Sequence, residues 1–272
     1  MAILYDYHMH SSFSGDSTAP MEQMIEAAVS RGLKGICITE HLDLDYPVSA
    51  SCPPGFFELD VPAYRDYFLK LQPKYTQNIE LFWGVELGLQ PHLAETLSSI
   101  VRNNPFDFVL GSVHTCHAKD PYFPEFYIGR EEEACYREYF TCVLENLEAY
   151  DNFDSLAHLD YVVRYGPNKD SCYTYDRYKD LLDPILLKLI SMGKAIECNT
   201  GAINYGLRAL NPSKDILKRY LALGGEQVTI GCDSHRPDAV ANGFDFARDY
   251  LADCGFTHYT TFKERQAVMR KL

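Results

Sequence analysis

Basic residues are in short supply. Lys and Arg number 25 against 38 Asp and Glu, a formal net charge of −13 over 272 residues. A general nucleic-acid binder needs a basic face to neutralise phosphates, and this balance argues against one, although a local basic pocket is compatible with it. Long apolar runs are missing as well: no stretch approaches the roughly 18 consecutive apolar residues of a membrane span. The stretch Met1 to His10 carries Asp6, His8 and His10 where a signal peptide would need an apolar run. No close CxxC pair occurs. The nine cysteines are odd in number and scattered. Cys37, Cys198 and Cys232 sit inside apolar runs, which reads as small core residues in a reducing cytoplasm and not as a disulfide framework. There is no low-complexity segment, charge block or evident linker, so residues 1–272 are expected to form one domain. With 46% hydrophobic and 13% aromatic residues, the chain has enough apolar material to offset its entropy on folding.

What is present is an alternation. Short apolar runs at Ile3–Tyr7, Gly35–Thr39, Leu81–Leu87, Phe106–Val113, Phe153–Ala157, Ala195–Cys198 and Gln227–Gly231 are each followed by a helix-like segment. Those segments are Met21–Arg31, Pro62–Lys74, Pro91–Asn103, Glu131–Tyr150, Tyr175–Met192, Ser213–Leu223 and Pro237–Cys254. Pro62, Pro91 and Pro237 suit first-turn positions, and Gly32 and Gly193 suit the position just past a helix end. The runs are continuously apolar, which favours parallel strands covered on both faces. Seven such units predict an α/β fold, a distorted (β/α)7 TIM-like barrel. An open doubly wound sheet is the competing architecture, but no GxGxxG or P-loop follows any strand. Two loops stand out, the proline-rich stretch Tyr46–Pro62 and the aromatic stretch His117–Gly129.

The ionisable residues fall at the ends of the runs. These are His8 and His10, Glu40 and His41, Glu86, His114, His158, Glu197, and Asp233 with His235. Residues two apart on a strand point the same way, so His8 and His10 project together, as do Asp233 and His235. In a parallel barrel every C-terminal strand end meets at one rim, where active sites form. Six of the nine histidines and at least two carboxylates would share that mouth. Imidazole and carboxylate together suit Zn, Mn or Fe. Without metal, so many polar groups would be left uncompensated. Asp16, in the loop Phe13-Ser14-Gly15-Asp16-Ser17, either bends back to the mouth or is an ordinary turn residue. Glu40 and Glu197 read as carboxylates that orient a histidine. His92 and His258 lie away from strand ends and read as structural or exposed.

In its motifs the chain resembles the PHP (polymerase and histidinol phosphatase) family, and within it the histidinol-phosphate phosphatases. The matching stretches are Asp6-Tyr7-His8-Met9-His10-Ser11, Ile38-Thr39-Glu40-His41, Gly84-Val85-Glu86, Gly111-Ser112-Val113-His114, Ala157-His158-Leu159-Asp160 and Gly231-Cys232-Asp233-Ser234-His235. The phosphatase assignment rests further on the length, the Asp16 loop, the insertion after His41 and Glu197-Cys198-Asn199-Thr200. The resemblance implies a centre of three divalent metal ions, Zn, Fe or Mn. It implies that His8, His10, Glu86 and Asp233 hold one ion. Glu86 bridges to a second, held with His114 and His158, and Asp16, His41 and His235 hold the third. Many family members carry His where Asp16 stands.

The activity so implied is hydrolysis of a small phosphate monoester, L-histidinol phosphate, in histidine biosynthesis, with neither nucleic acid nor membrane as partner. Two metals about 3.5–4 Å apart can share a water and lower its pKa toward about 7 for in-line attack. Arg164 is a candidate planar fork for the phosphate oxygens, or else a surface ion pair. His117 is a candidate for binding phosphate or protonating the leaving oxygen, or else an exposed loop residue. Arg130 and Arg208 are weaker candidates. Loop aromatics and carboxylates between residues 43 and 60 would face the cationic end of the substrate. The alternatives are another phosphoesterase of the family, acting on nucleotides, nucleic-acid ends or phosphotyrosyl protein, and a non-catalytic domain with a vestigial site.

Overall fold

Seven short, almost wholly buried segments lie side by side in chain order. They are β1 (Tyr5–Asp6), β2 (Gly35–Leu42), β3 (Glu80–Gly88), β4 (Phe108–Ser112), β5 (Ser155–Leu156), β6 (Ala195–Asn199) and β7 (Val228–Gly231). The computed structural model describes residues 2–272, so Met1 lies outside the described residues. All neighbours in the sheet are parallel. The edges then meet. Tyr7 N donates to Ile230 O at 2.9 Å, Asp233 N to His8 O at 2.8 Å and His10 N to Ser234 O at 2.9 Å. These bonds decide between a barrel and an open sheet, because an open sheet would leave both edges unpaired.

Helices α1 (Met21–Ser30), α2 (Val61–Tyr75), α3 (Ala94–Asn103), α4 (Glu132–Ala149), α5 (Tyr175–Ser191), α6 (Lys214–Ala222) and α7 (Phe244–Cys254) follow the strands in turn. Each keeps an apolar stripe buried, for example Met21, Met24, Ile25 and Ala28 of α1. The expected helix Pro237–Cys254 is shorter than its sequence pattern. A 3-10 turn at Pro237–Ala239 is followed by Ala241 and Gly243 in the left-handed region (φ 53° and 80°), which restarts the helix at Phe244. Pro91–Asn103 likewise opens as a 3-10 turn before α3.

One element went unread in the sequence. β8 (His258–Lys263) and β9 (Gln266–Lys271) form an antiparallel hairpin. Its turn residues Glu264 and Arg265 both have positive φ (49° and 62°), without the Asn-Gly or Asp-Gly that normally signals such a turn. The hairpin packs on the strand entries. Tyr7 Oη donates to Phe262 O at 2.6 Å, and Arg265 N donates to Asp107 O at 2.9 Å. The opposite end of the barrel stays open for the site.

Candidate metal centre

The carboxylate of Glu86, near the end of β3, sits among five imidazoles. Its Oε1 lies 3.3 Å from His114 Nε2 and 3.2 Å from His158 Nε2. Its Oε2 lies 3.1 Å from His8 Nε2, 3.3 Å from His10 Nε2 and 3.1 Å from His41 Nδ1. Strand register explains part of this, since His41 of β2 pairs directly with Glu86. Asp233 follows β7 and brings Oδ1 to 3.4 Å from His8 Nε2 and 3.6 Å from His10 Nε2. Asp16 does bend back: its Oδ2 is 3.1 Å from His235 Nε2 and 3.6 Å from His41 Nε2. The structure thus brings together all nine residues predicted to form the mouth.

Most of these rings are held by their far nitrogen. His8 Nδ1 is 2.7 Å from Glu197 Oε1, His10 Nδ1 is 3.1 Å from Ser14 Oγ, and His114 Nδ1 is 2.7 Å from Asp43 Oδ1. His235 Nδ1 is 3.1 Å from its acceptor, Asp233 O. With a proton fixed on Nδ1, the neutral ring turns a bare Nε2 lone pair into the mouth, which is the tautomer a metal requires. Glu197 is the orienting carboxylate the sequence suggested; its Oε2 also accepts from His158 N at 2.8 Å. Glu40 acts one step back. It accepts from Ser11 N at 3.0 Å and from Ser14 Oγ at 2.6 Å, and Ser14 is the residue touching His10. Two glycines make room. A Cβ on Gly231 would lie 2.3 Å from His8 Cβ, and one on Gly88 would lie 2.1 Å from Asp43 Oδ1.

The charges in this mouth are unbalanced without a cation. Glu86 Oε2, His41 Nδ1, His158 Nδ1 and His235 Nε2 are buried and have no hydrogen-bond partner. Buried polar atoms are nearly always satisfied, so Glu86 Oε2 calls for a proton on a facing ring or for a cation. Burial works to raise the Glu86 carboxyl, but His8, His41 and His114 hold it well below the usual carboxylate range. Burial works to lower His114, but Asp43 and Glu86 carry it up to about 10. His10 is pushed down by burial and by the adjacent His41 and His235. Four donor groups could each hold an ion: His8/His10/Asp233, His8/Glu86/His158, His41/Glu86/His114 and His10/His41/His235. Nitrogen and oxygen donors at this spacing fit divalent metals of the zinc, manganese or iron type.

Two predicted residues differ from expectation. Arg164 is buried, not a surface ion pair. Its Nε donates to Asn211 Oδ1 at 2.8 Å, Nη1 to Asp233 Oδ2 at 2.9 Å and Nη2 to Asn199 Oδ1 at 2.8 Å. Three of its five N–H bonds therefore hold the protein, and the guanidinium fixes Asp233 from behind while lining the cavity. His117 does not join the mouth. Its side chain is 58% exposed and turns toward Glu138, Cys142 and Glu145 of α4. The cause is a tight turn at His117–Ala118, both left-handed (φ 48° and 60°), which three-residue spacing from His114 does not reveal. Arg130 pairs with Glu138 and Arg208 with Asp170, and neither lines the cavity. His92 is exposed beside Asp45, and His258 is exposed beside Thr257.

Above the mouth lies a cavity of about 290 Å³. Tyr46, Phe56 and Phe57 come from the proline-rich loop, and Asp120, Tyr122 and Phe123 from the second loop. Asp120 is a buried carboxylate that no strand-end pattern announces. It accepts from Tyr46 Oη at 2.5 Å, Tyr122 N at 2.7 Å and Tyr161 Oη at 3.2 Å, while burial raises its pKa. Asp43, expected only among the loop carboxylates facing the substrate, instead contacts His114; its place two residues past His41 was a readable signal of that, since alternate residues share a face.

A closed parallel barrel with histidines and carboxylates converging at its C-terminal mouth defines a β/α-barrel protein with a candidate metal centre. Residues 6–201 match the PHP domain model, and the chain belongs to the PHP domain family. It is 36% identical over 252 residues to a probable histidinol-phosphatase of Clostridium acetobutylicum, covering 93% of this chain and 94% of that one. It is 33% identical over 258 residues to the histidinol-phosphatase of Lactococcus lactis, covering 94% and 93% of the two chains. The crystal structure of the Lactococcus lactis histidinol phosphate phosphatase, complexed with Zn, L-histidinol and phosphate, superposes with a TM-score of 0.87 at 31% identity, covering 97% and 98% of the two chains. No helix among the described residues is long and apolar enough to cross a membrane.

Proposed function

We propose that the chain hydrolyses L-histidinol phosphate to L-histidinol and inorganic phosphate, one water being consumed, as a step of histidine biosynthesis in the cytoplasm. The observation that carries this reading is Glu86, whose two oxygens face five imidazole nitrogens within 3.3 Å, buried behind the His41, His114 and His158 that line the cavity. Full-length similarity to the Lactococcus lactis enzyme, whose structure holds Zn, L-histidinol and phosphate, supports it. Residues 1–272 act as one catalytic unit in this reading, since Asp233 and His235 lie beyond the matched 6–201 segment yet share the mouth.

Three divalent ions are assigned to the mouth, with zinc foremost and iron or manganese as substitutes. His8, His10, Glu86 and Asp233 hold one, Glu86, His114 and His158 the second, and Asp16, His41 and His235 the third. Bound there, such ions supply Lewis acidity toward the phosphoryl oxygens and activate water. The chain's own residues do the rest. Glu197, Ser14 and Asp43 fix the ring orientations. Arg164 holds Asp233 and adds a positive charge to the wall that receives the phosphate. The aromatic loops cover the cavity and limit water. Asp120, deep in the same wall, faces the cationic end of the alcohol. The enclosed aromatic wall and the net charge of −13 favour a small cationic ester over nucleic-acid ends or a phosphotyrosyl protein.

The test is a purified protein assayed for bound metal and for turnover of histidinol phosphate, nitrophenyl phosphate and a set of nucleotides. Marked selectivity for histidinol phosphate is expected. Equal slow turnover of every ester would point to another phosphoesterase, and a His8→Ala protein that keeps both metal and rate would sink the site assignment.

A further inference from the structure

Outside the barrel mouth, Cys116, His117 and Cys142 bring two sulfurs and a ring nitrogen within 4.8 Å of one another. The mechanism uses none of them. Cys116 and Cys142 are buried, while the His117 ring reaches solvent. The two cysteines lie on different elements, Cys116 after β4 and Cys142 on α4. Glu138, Cys142 and Glu145 fall on one face of α4, at the four- and three-residue spacings that bring side chains together.

We propose that Cys116, His117, Cys142 and Glu145 form a second, independent zinc site that pins the β4–α4 loop to helix α4. The two separations that His117 makes, to Cys142 and to Glu145, fit a tetrahedral ion. With Zn–S about 2.3 Å, Zn–N about 2.0 Å and Zn–O about 2.1 Å, sulfur and nitrogen stand roughly 3.5 Å apart, and nitrogen and oxygen roughly 3.4 Å. His117 Nε2 is 3.6 Å from Cys142 Sγ and 3.4 Å from Glu145 Oε2. The ring's other nitrogen, Nδ1, lies 3.2 Å from Glu138 Oε1, and Glu138 is itself paired with Arg130. That is the carboxylate support a zinc-bound histidine commonly has. With Nδ1–H donating to Glu138, Nε2 faces the Glu145 carboxylate, an arrangement resolved by a second proton on the ring or by a cation between them. Thiolate with imidazole selects zinc over magnesium or calcium.

The backbone is consistent with a fastened loop. Cys116 and Lys119 exchange both hydrogen bonds, 2.7 and 3.0 Å, around His117 and Ala118. Both of those residues are non-glycine and left-handed, a conformation kept where the surroundings enforce it. The same loop carries Asp120, Tyr122 and Phe123 into the cavity wall, so the ion would stiffen one side of the cavity.

The experiment compares the full chain with its Cys142→Ala variant, purified under reducing conditions, stripped, and reloaded with zinc or cobalt. Native mass spectrometry should count one more zinc per chain in the parent. Cobalt-loaded parent should show thiolate-to-cobalt charge-transfer absorption that the variant lacks; the barrel mouth, built from nitrogen and oxygen donors, cannot supply it. Glu145→Gln should keep that absorption but weaken zinc affinity. Hydrogen exchange in residues 115–123 should slow on zinc loading in the parent only. Equal zinc counts in parent and variant would overturn the proposal. So would a cobalt-loaded parent without thiolate absorption, which does not depend on any variant folding.

Discussion

Asp43 accepts a hydrogen bond from His114 Nδ1 at 2.7 Å and thereby turns Nε2 of that ring toward Glu86, 3.3 Å away. Its second oxygen stands 3.5 Å from His41 Nδ1, close enough to act on that ring's charge but without a hydrogen bond to it. Gly88 is what lets it stand there. Replacing Asp43 with Ala should lower metal affinity about 10- to 100-fold, the usual effect of losing an orienting partner. Gly88→Ala should act in the same direction by displacing that carboxylate. Competition with a chelator of known affinity measures both, and an unchanged affinity in Asp43→Ala would contradict the orienting role.

Removing metal should stop turnover and lower the melting temperature together. The buried Glu86 Oε2 and His235 Nε2 have charged neighbours but no hydrogen-bond partner. Binding only to the folded state adds stability that grows with the logarithm of ligand concentration. Chelator treatment followed by calorimetry, then readdition of zinc, should show both losses reversed. Full activity after verified stripping would contradict the assignment.

Asp120 should govern which alcohol is accepted. It is the buried carboxylate of the second loop, with two tyrosine hydroxyls and a backbone N–H donating to it. Asp120→Asn should raise KM for histidinol phosphate about tenfold, the equivalent of about 1.4 kcal/mol of lost charge attraction. Nitrophenyl phosphate, which has no cationic end, should be handled as before. A matching rise for both esters would assign Asp120 to the architecture of the cavity instead.

Asp160 should leave a mark on the pH dependence of stability. Burial raises its carboxyl to about 6 from 3.8, against the pull of hydrogen bonds from Asn211 Nδ2 at 2.6 Å and Ser213 N at 3.2 Å. The folded state therefore holds this proton more tightly than the unfolded chain. Its contribution is most favourable below about pH 3.8 and declines as pH rises through about 6. Urea unfolding of metal-stripped protein across that window should show this decline, and Asp160→Asn should remove it. An identical slope in both proteins would refute the shift.

The barrel was legible because its strands are continuously apolar and their ends carry ionisable residues at alternate positions. His8 with His10 and Asp233 with His235 could be placed from spacing alone. Glu197 was readable as an orienting group because β6 ends next to β5 and β7. Loops were less readable. The distance from His158 to Arg164 correctly put the arginine near the mouth, but its bonds to Asn211 and Asn199 depend on segments distant in sequence. His117 was misplaced because a two-residue left-handed turn reverses the chain, and nothing in Cys116-His117-Ala118-Lys119 signals it. The β8–β9 hairpin was hidden for the same reason, its turn being made by Glu264 and Arg265.

The seam that joins Met9 to Ser234 links residues far apart in the order of synthesis. Two of the four donor groups at the mouth need nothing beyond His158, while the other two require Asp233 or His235. An emerging polypeptide therefore owns half of its cation-holding sets long before the rest exist. Full occupancy would report that β7, the last strand of the barrel, has left the ribosome and docked, which would make the centre a checkpoint on barrel closure as well as a place of chemistry.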